Sequence, residues 1–265
     1  MREIYGEKFL DVSKIIETII KILWDKIKLN LIKNRNELYI KLLSNDVDFC
    51  TSRKRYDVAL DVLDKILELD KQYLPALFGK GNILKKLEKF EEANYYYDLI
   101  LKIDNNNSGA LFQKADCAFL KKDYEKALEL SNIALEKDPQ NIHLLYEKGM
   151  VLDHLYRFEP AINCFNQILE QDRNNIPALL RIAFVYSMMM NPKEAIIYYD
   201  KILEIDSVHE DAVIQKLGLL ESLKDYDSML KMINGFLKET PNDVNLLEIK
   251  KEIELEKEKN KDNKL

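Results

Sequence analysis

The stretch LPALFGKGNILKKLEKFEEANYYYDLILKIDNNN, residues 74–107, decides the fold because it recurs. Units of the same 34-residue length begin at Ile40, Leu74, Ser108, Ile142, Ile176 and Glu210, with no gap between them. Counting positions from the first residue of each unit, position 20 reads Ala59, Ala93, Ala127, Ala161, Ala195 and Met229. Position 28 is leucine throughout: Leu67, Leu101, Leu135, Leu169, Leu203 and Leu237. Position 31 reads Asp70, Asp104, Asp138, Asp172, Asp206 and Thr240. Self-similarity at this period marks a stack of identical supersecondary units.

Inside a unit the apolar positions 4, 8 and 11 recur at helical spacing, and so do 20, 24, 27 and 28. Two amphipathic helices follow, A over about positions 1–14 and B over about 16–30. Position 4 gives a core ridge of Leu43, Leu77, Leu111, Leu145, Leu179 and Val213. Gly81 and Gly149 at position 8, with the alanines at 20, let the two axes approach closely. Asn191, Pro192 and Glu194 predict an N-cap, a first-turn proline and an acid for one helix B. Asp123 and Asp225 hold the capping place in other units. Pro75 and Pro177 fall in the first turn of helix A, and Asn105 to Asn107, Asn174, Asn175 and Pro139 break the chain between units.

This pattern resembles the tetratricopeptide repeat over residues 40–243. The family pattern prefers Trp, Leu, Gly and Tyr at 4, 7, 8 and 11, then Ala, Phe, Ala and Pro at 20, 24, 27 and 32. Gly81, Gly149, Tyr186, Ala59 to Ala195 at position 20, Phe165, Ala134, Pro139 and Pro241 match it. Leu replaces Trp at 4, and Lys80, Lys114, Lys148 and Lys216 stand at 7. Val47, Leu217 and Met229 are bulky in the terminal units, which face only one neighbour. The resemblance implies an all-α, right-handed α-solenoid of six stacked helix-turn-helix repeats in one continuous domain. Residues 1–39 are expected to form an N-terminal amphipathic helical cap, and residues 244–265 a capping helix with a frayed tail.

The ends carry their own patterns. A helix is expected over 7–33, with Val12, Ile16, Ile19, Ile20, Leu23 and Ile27 on one face and Ile15, Trp24 and Leu31 widening it. Three uses fit that stripe: a cap on the first repeat, a homodimer contact, or a helix lying on a membrane surface. In the last helix Leu246, Leu247 and Ile249 are expected to face inward.

Composition narrows the function. The chain has 265 residues, with only 7 Gly and 6 Pro, 47% apolar and 32% charged residues, and this excludes disordered, collagen-like and disulfide-scaffold classes. The net charge of −6 argues against a general nucleic-acid binder. Residues 1–55 hold 12 basic and 8 acidic groups, a local excess of four that suits an acidic partner or a solvated helix. Cys50, Cys117 and Cys164 are odd in number and far apart, which suits reduced thiols and a cytoplasmic chain. The first residues do not read as a secretory signal, and the run Ile15–Trp24 is too short and too charged to span a bilayer.

No catalytic constellation is legible, so no enzyme and no cofactor is expected. Gly79 and Gly81 lie inside helix A and lack the third glycine of a dinucleotide loop. His143 and His154 are three turns apart, roughly 16 Å along a helix, too far to share a metal. The chemistry left is recognition. The resemblance implies a concave groove lined by positions 2, 5, 6, 9, 12 and 13 of the A helices. Those positions carry Phe78, Asn82, Phe112, Asp116, Phe119, Tyr146, Met150, Leu180, Phe184 and Met188. They lie off the 4-8-11 core face, so their apolar bulk reads as a binding surface or as packing on the next unit. The expected function is an adaptor that docks a protein or peptide segment. The alternatives are a structural subunit assembled through the N-terminal helix and, less well supported, a helical-repeat RNA binder. A clamp for acidic chaperone tails is not expected: its places hold Phe78, Asn82, Gln113, His143 and Glu147, of which only Asn82 fits, and Glu147 repels carboxylates. Each of these four lysines at position 7 follows a position-31 aspartate by ten residues. They are expected to pair with it, the alternative being a basic stripe for phosphates.

Overall fold

The computed structural model describes residues 12–262. Among these residues all regular structure is helical: α1 (Val12–Ser52), α2 (Tyr56–Leu69), α3 (Leu74–Lys86), α4 (Phe90–Ile103), α5 (Ser108–Leu120), α6 (Tyr124–Lys137), α7 (Ile142–His154), α8 (Phe158–Gln171), α9 (Ile176–Met188), α10 (Pro192–Ile205), α11 (Glu210–Ser222), α12 (Tyr226–Glu239) and α13 (Val244–Asp262). From α3 to α12 each helix A starts at position 1 and each helix B at position 17, as the period requires. Consecutive helices pack in series, an all-α repeat fold. Contacts gather the chain into two compact units, Met1–Gln113 and Lys114–Leu265.

Close approach within a hairpin rests on small side chains set against large ones. A Cβ added to Gly81 would stand 2.5 Å from the Tyr97 ring, and one on Gly149 would stand 2.6 Å from the Phe165 ring. Both rings are fully buried. Position 8 therefore seats the aromatic at position 24 of the same hairpin. The alanines at 20, from Ala59 to Ala195, are all at 0% exposure.

The turn inside each hairpin was not legible in the sequence. Lys54, Glu88, Lys122, Tyr156, Met190 and Lys224, all at position 15, have φ of 54° to 63°. Each is followed by an amide that donates to a carbonyl five residues back, for example Lys89 to Leu84 and Asn191 to Tyr186. This left-handed closure usually takes glycine, and none of the six units provides one.

Between units the chain turns on a recurring pair. The position-31 aspartate accepts from the amide two residues on, as in Asp104 with Asn106 (3.1 Å), Asp172 with Asn174 (3.1 Å) and Asp206 with Val208 (3.2 Å). The position-34 asparagine donates to that aspartate and caps the next helix A: Asn141 bonds Asp138 and accepts from His143 and Leu144, and Asn175 bonds Asp172 and accepts from Ala178. Asp123 and Asp225 cap α6 and α12 as expected. Asn191 occupies its cap place, but its side chain makes no capping bond, and Pro192 opens the helix.

Both ends depart from the sequence expectation. α1 continues through residues 39 and 40, so the first helix A is the last third of one long helix. The side chains of the stripe from Val12 to Ile27 lie outside the described residues, as does the tail from Asn263. In α13, Leu246 is half-buried but Leu247 and Ile249 are exposed at 46% and 42%, and Ile253 is the buried anchor. The face that meets α12 follows positions 3, 7, 10 and 14 of a helix A. Among the described residues no helix covers its 4-8-11 face.

Candidate functional site

The first unit holds three of the expected groove residues. Phe78 is half-buried: its ring lies 6.4 Å from Tyr97, and a Cβ on Gly109, at the start of the next helix A, would stand 3.5 Å from it. Asn82 accepts the Tyr97 hydroxyl proton at 2.9 Å. Phe112 is half-buried as well.

In the second unit the same repeat positions fall on α7, α9 and α11. Tyr146 on α7 packs its ring 5.7 Å from Phe165, and its hydroxyl accepts from Arg181 Nε on α9 at 3.1 Å. Beside this pair, burial pushes the Asp153 carboxyl above its ordinary range, and the charges of His154 and Arg181 pull it back only in part. His154 stacks on Tyr124 at 4.9 Å, and Phe119 meets both rings edge-on at 5.5 and 5.0 Å. Asp116, Met150 and Leu180 are half-buried. Phe184 and Met188 on α9 and Ile214 on α11 remain exposed, at 43%, 47% and 54%. Gly218, one turn after Ile214, would meet nothing within 4 Å if it carried a Cβ.

Aromatics at position 5 thus have internal partners, contrary to the argument from the 4-8-11 face alone. Phe78 and Tyr146 reach the following helix A, which a single-helix periodicity cannot show. Glu147 is buried at 8% exposure, so it does not line a ligand surface. Arg181 escaped the sequence reading, although it stands at position 6 of the unit that follows Tyr146. A cleft of about 540 Å³ between α10, α11 and α12 is lined by groups that pair with one another, Lys216 with Asp200 and Ser228 with Asp225.

A tetratricopeptide-repeat model matches residues 74–107 and 142–175, the second and fourth units of the 34-residue period. These two units are tetratricopeptide repeats. The chain's solved neighbours share the fold. The pilF protein of Pseudomonas aeruginosa aligns at 19% identity with a TM-score of 0.62, covering 83% of this chain and 99% of its own. A tetratricopeptide repeat protein from Parabacteroides merdae aligns at 20% identity and 0.61, covering 82% and 86%. YrrB, described as a tetratricopeptide-repeat protein with an unusual peptide-binding site, aligns at 24% identity and 0.53, covering 65% and 89%. Comparison with curated proteins gives no match.

Within this repeat frame two of the lysines at position 7, Lys80 and Lys216, find a different partner from the one expected. Lys80 bonds Asp64, and Lys216 bonds Asp200, each an acid at position 25 of the preceding helix B. The position-31 aspartates are already engaged in their turns. Burial draws the Lys80 ammonium down, but Asp64 and the Tyr96 hydroxyl outweigh it and hold its pKa above the usual value. The Lys80 ammonium also sits 4.8 Å from the centre of the Tyr96 ring. Among the described residues no three His, Cys, Asp or Glu side chains gather as metal ligands, and no helix is long and apolar enough to cross a membrane.

Proposed function

We propose that the protein is a non-enzymatic adaptor that docks an extended or helical protein segment on the A-helix face of its second unit. The tetratricopeptide repeat is an interaction fold, and that class of function is what the family supports. One observation carries the location. Phe184, Met188 and Ile214 are large and apolar, about half exposed, and placed at positions 9, 13 and 5 of successive A helices. The open space at Gly218 adjoins them along α11. Apolar anchors of this kind dominate binding when a partner excludes water from them. The rigid floor beneath is the Tyr146, Phe165 and Arg181 network, and Phe119 with His154 extends the surface. Phe78, Asn82 and Phe112 form the corresponding face of the first unit.

The test is selection of peptides from a random library against the full chain. Selected peptides should carry two or more large apolar residues. They should bind the triple variant Phe184→Ala, Met188→Ala, Ile214→Ala at least about tenfold more weakly. Unfolding of the variant should stay close to wild type, since all three side chains are exposed. Peptides that bind wild type and variant equally would place the contact elsewhere.

A further inference from the structure

The two faces of a helix A have fixed duties in this array. Position 7 reaches back to the preceding helix B, as Lys80 does to Asp64. Position 8 packs on its own helix B, as Gly81 does against Tyr97. At the C-terminal end α13 uses only the backward face: Ile253 is buried and Lys257 bonds Asp227. Its other face, where a further helix would lie, mixes Leu247 at 46% exposure with Lys251 and Glu254.

The first helix ends the array with a longer and more exposed apolar row. Ile40, Leu43 and Cys50 of α1 bury in the core that α2 completes. Its backward face, which no other described helix covers, carries a row of large apolar residues. Leu31, Leu38, Leu42 and Phe49 are 65%, 62%, 56% and 55% exposed. Their spacings of seven, four and seven residues are those of an a/d seam. A solvated helix end does not carry such a row.

We infer that this seam pairs with the same seam of a second copy, with the two α1 helices antiparallel about a two-fold axis near residue 40. In that register Leu31 lies opposite Phe49, Leu38 opposite Leu42, and Arg35 opposite Asn45. Every large apolar residue of the row meets another. The charges agree with this orientation. One half of the seam carries Lys28, Lys33 and Arg35 with Glu37; the other carries Asp46 and Asp48 with Lys41 and with Arg53, whose guanidinium lies 4.7 Å over the Phe49 ring. Antiparallel pairing sets the more basic half on the half that holds the two aspartates, and parallel pairing sets the two basic halves on each other. Lys33 pairs with Glu37 at 3.9 Å, both more than 60% exposed, so the pair is weak. Lys41 lies beside the axis, where its flexible stem lets the ammonium splay into water. Asp46 stands at position 7, where Lys80 and Lys216 receive an acid from a preceding helix B. The seam thus asks for a basic partner where its own repeats would present an acidic one. A closed, isologous pair satisfies both the apolar row and the inverted charge.

The experiment uses the full chain. Sedimentation equilibrium should give twice the monomer mass of 31.2 kDa. The double variant Leu38→Glu, Leu42→Glu should be monomeric, with self-association weakened at least about a hundredfold, and with helix content unchanged because both residues are exposed. Orientation is read by mixing Leu31→Cys with Phe49→Cys chains under mild oxidation, where cross-linking should join the two variants to each other. Disulfides within each variant alone would report a parallel pair and overturn the register. A wild-type mass of one chain, or a dimer that persists in the glutamate variant, would overturn the interface. Neither result touches the peptide site of the second unit, which is tested by its own residues.

Discussion

Position 15 shows what a single residue must tolerate for the hairpin to close. A side chain at φ near +57° suffers a clash worth roughly 1 kcal/mol that glycine avoids. The compensation is the turn it completes, in which two or three amides find helix carbonyls. Met190 is 88% exposed, so its side chain contributes little packing. Met190→Gly should therefore stabilise the protein by at most about 0.5 kcal/mol once the glycine's larger unfolded-state entropy is set against the relieved clash, and Met190→Val should destabilise it. Urea unfolding of the pair measures both signs. Position 8 gives the reverse case. Gly81→Ala drives a methyl into a ring whose hydroxyl is fixed to Asn82, so a loss of about 1–3 kcal/mol is expected, partly restored by Tyr97→Leu. At the α12 cap, the Ser228 hydroxyl and amide hold the Asp225 carboxyl below the usual range. A lowered folded-state pKa favours folding above the unfolded value, and the gain fades as pH falls through the folded one. Asp225→Ala should cost about 1 kcal/mol at pH 7 and progressively less as the solution is acidified below the carboxylate range, as paired thermal melts would show.

At the scale of the element, the helices and their spacing were readable because packing demands a periodic row and the period is strict. Leu77, Ala93 and Ile100 announce two helices by position alone, and their burial follows. What lay between helices was harder to read. Glu88 and Lys122 have no property that marks a left-handed turn, since the signal is a backbone angle and the usual glycine is missing. The lysines at position 7 were visible as a column, but their partner was not. A ten-residue link to Asp70 and a sixteen-residue link to Asp64 are equally plausible until the helix faces are fixed in space. The same limit applies to Phe78 and Tyr146, whose burial comes from a neighbouring repeat. The pair of Lys80 and Asp64 can be weighed. Lys80 is buried and Asp64 about half exposed, so removing the acid leaves an ammonium in apolar surroundings with Tyr96 as its remaining support. Asp64→Ala should destabilise by about 1 kcal/mol, reduced from fully buried values by solvent at the acid. Lys80→Met should be near neutral, because it removes the buried charge along with its need for a partner. A double-mutant cycle read by denaturant melts separates the two.

For the whole molecule, a stack whose repeats touch only their neighbours distributes stability locally. In the second unit the distribution is uneven. A large cluster joins Leu145, Val151, Phe165, Ile168 and Ile182 across α6 to α9, with Phe165, Ile168 and Ile182 fully enclosed. The last cluster contains only Leu220, Met229, Ile233 and Ile253 as buried members. Leu217 and Met229 occupy positions 8 and 20, where the hairpins from α3 to α10 use glycine or alanine, so α11 and α12 cannot close as tightly. Gly218 and Gly235 meet no neighbouring atoms at all where a Cβ would stand. The C-terminal hairpin and α13 should accordingly open as a group before α7 to α9 do, with an opening free energy lower by about 2 kcal/mol or more. Native-state amide exchange resolves this. Ile253→Ala should speed exchange across α11 to α13 and leave α7 and α8 unchanged, whereas Phe165→Ala should speed exchange in α7 to α9 as well. Equal protection along the second unit, or an Ile253→Ala effect that reaches α7, would show that the repeats unfold as one block and that the bulky pair at positions 8 and 20 does not loosen the end.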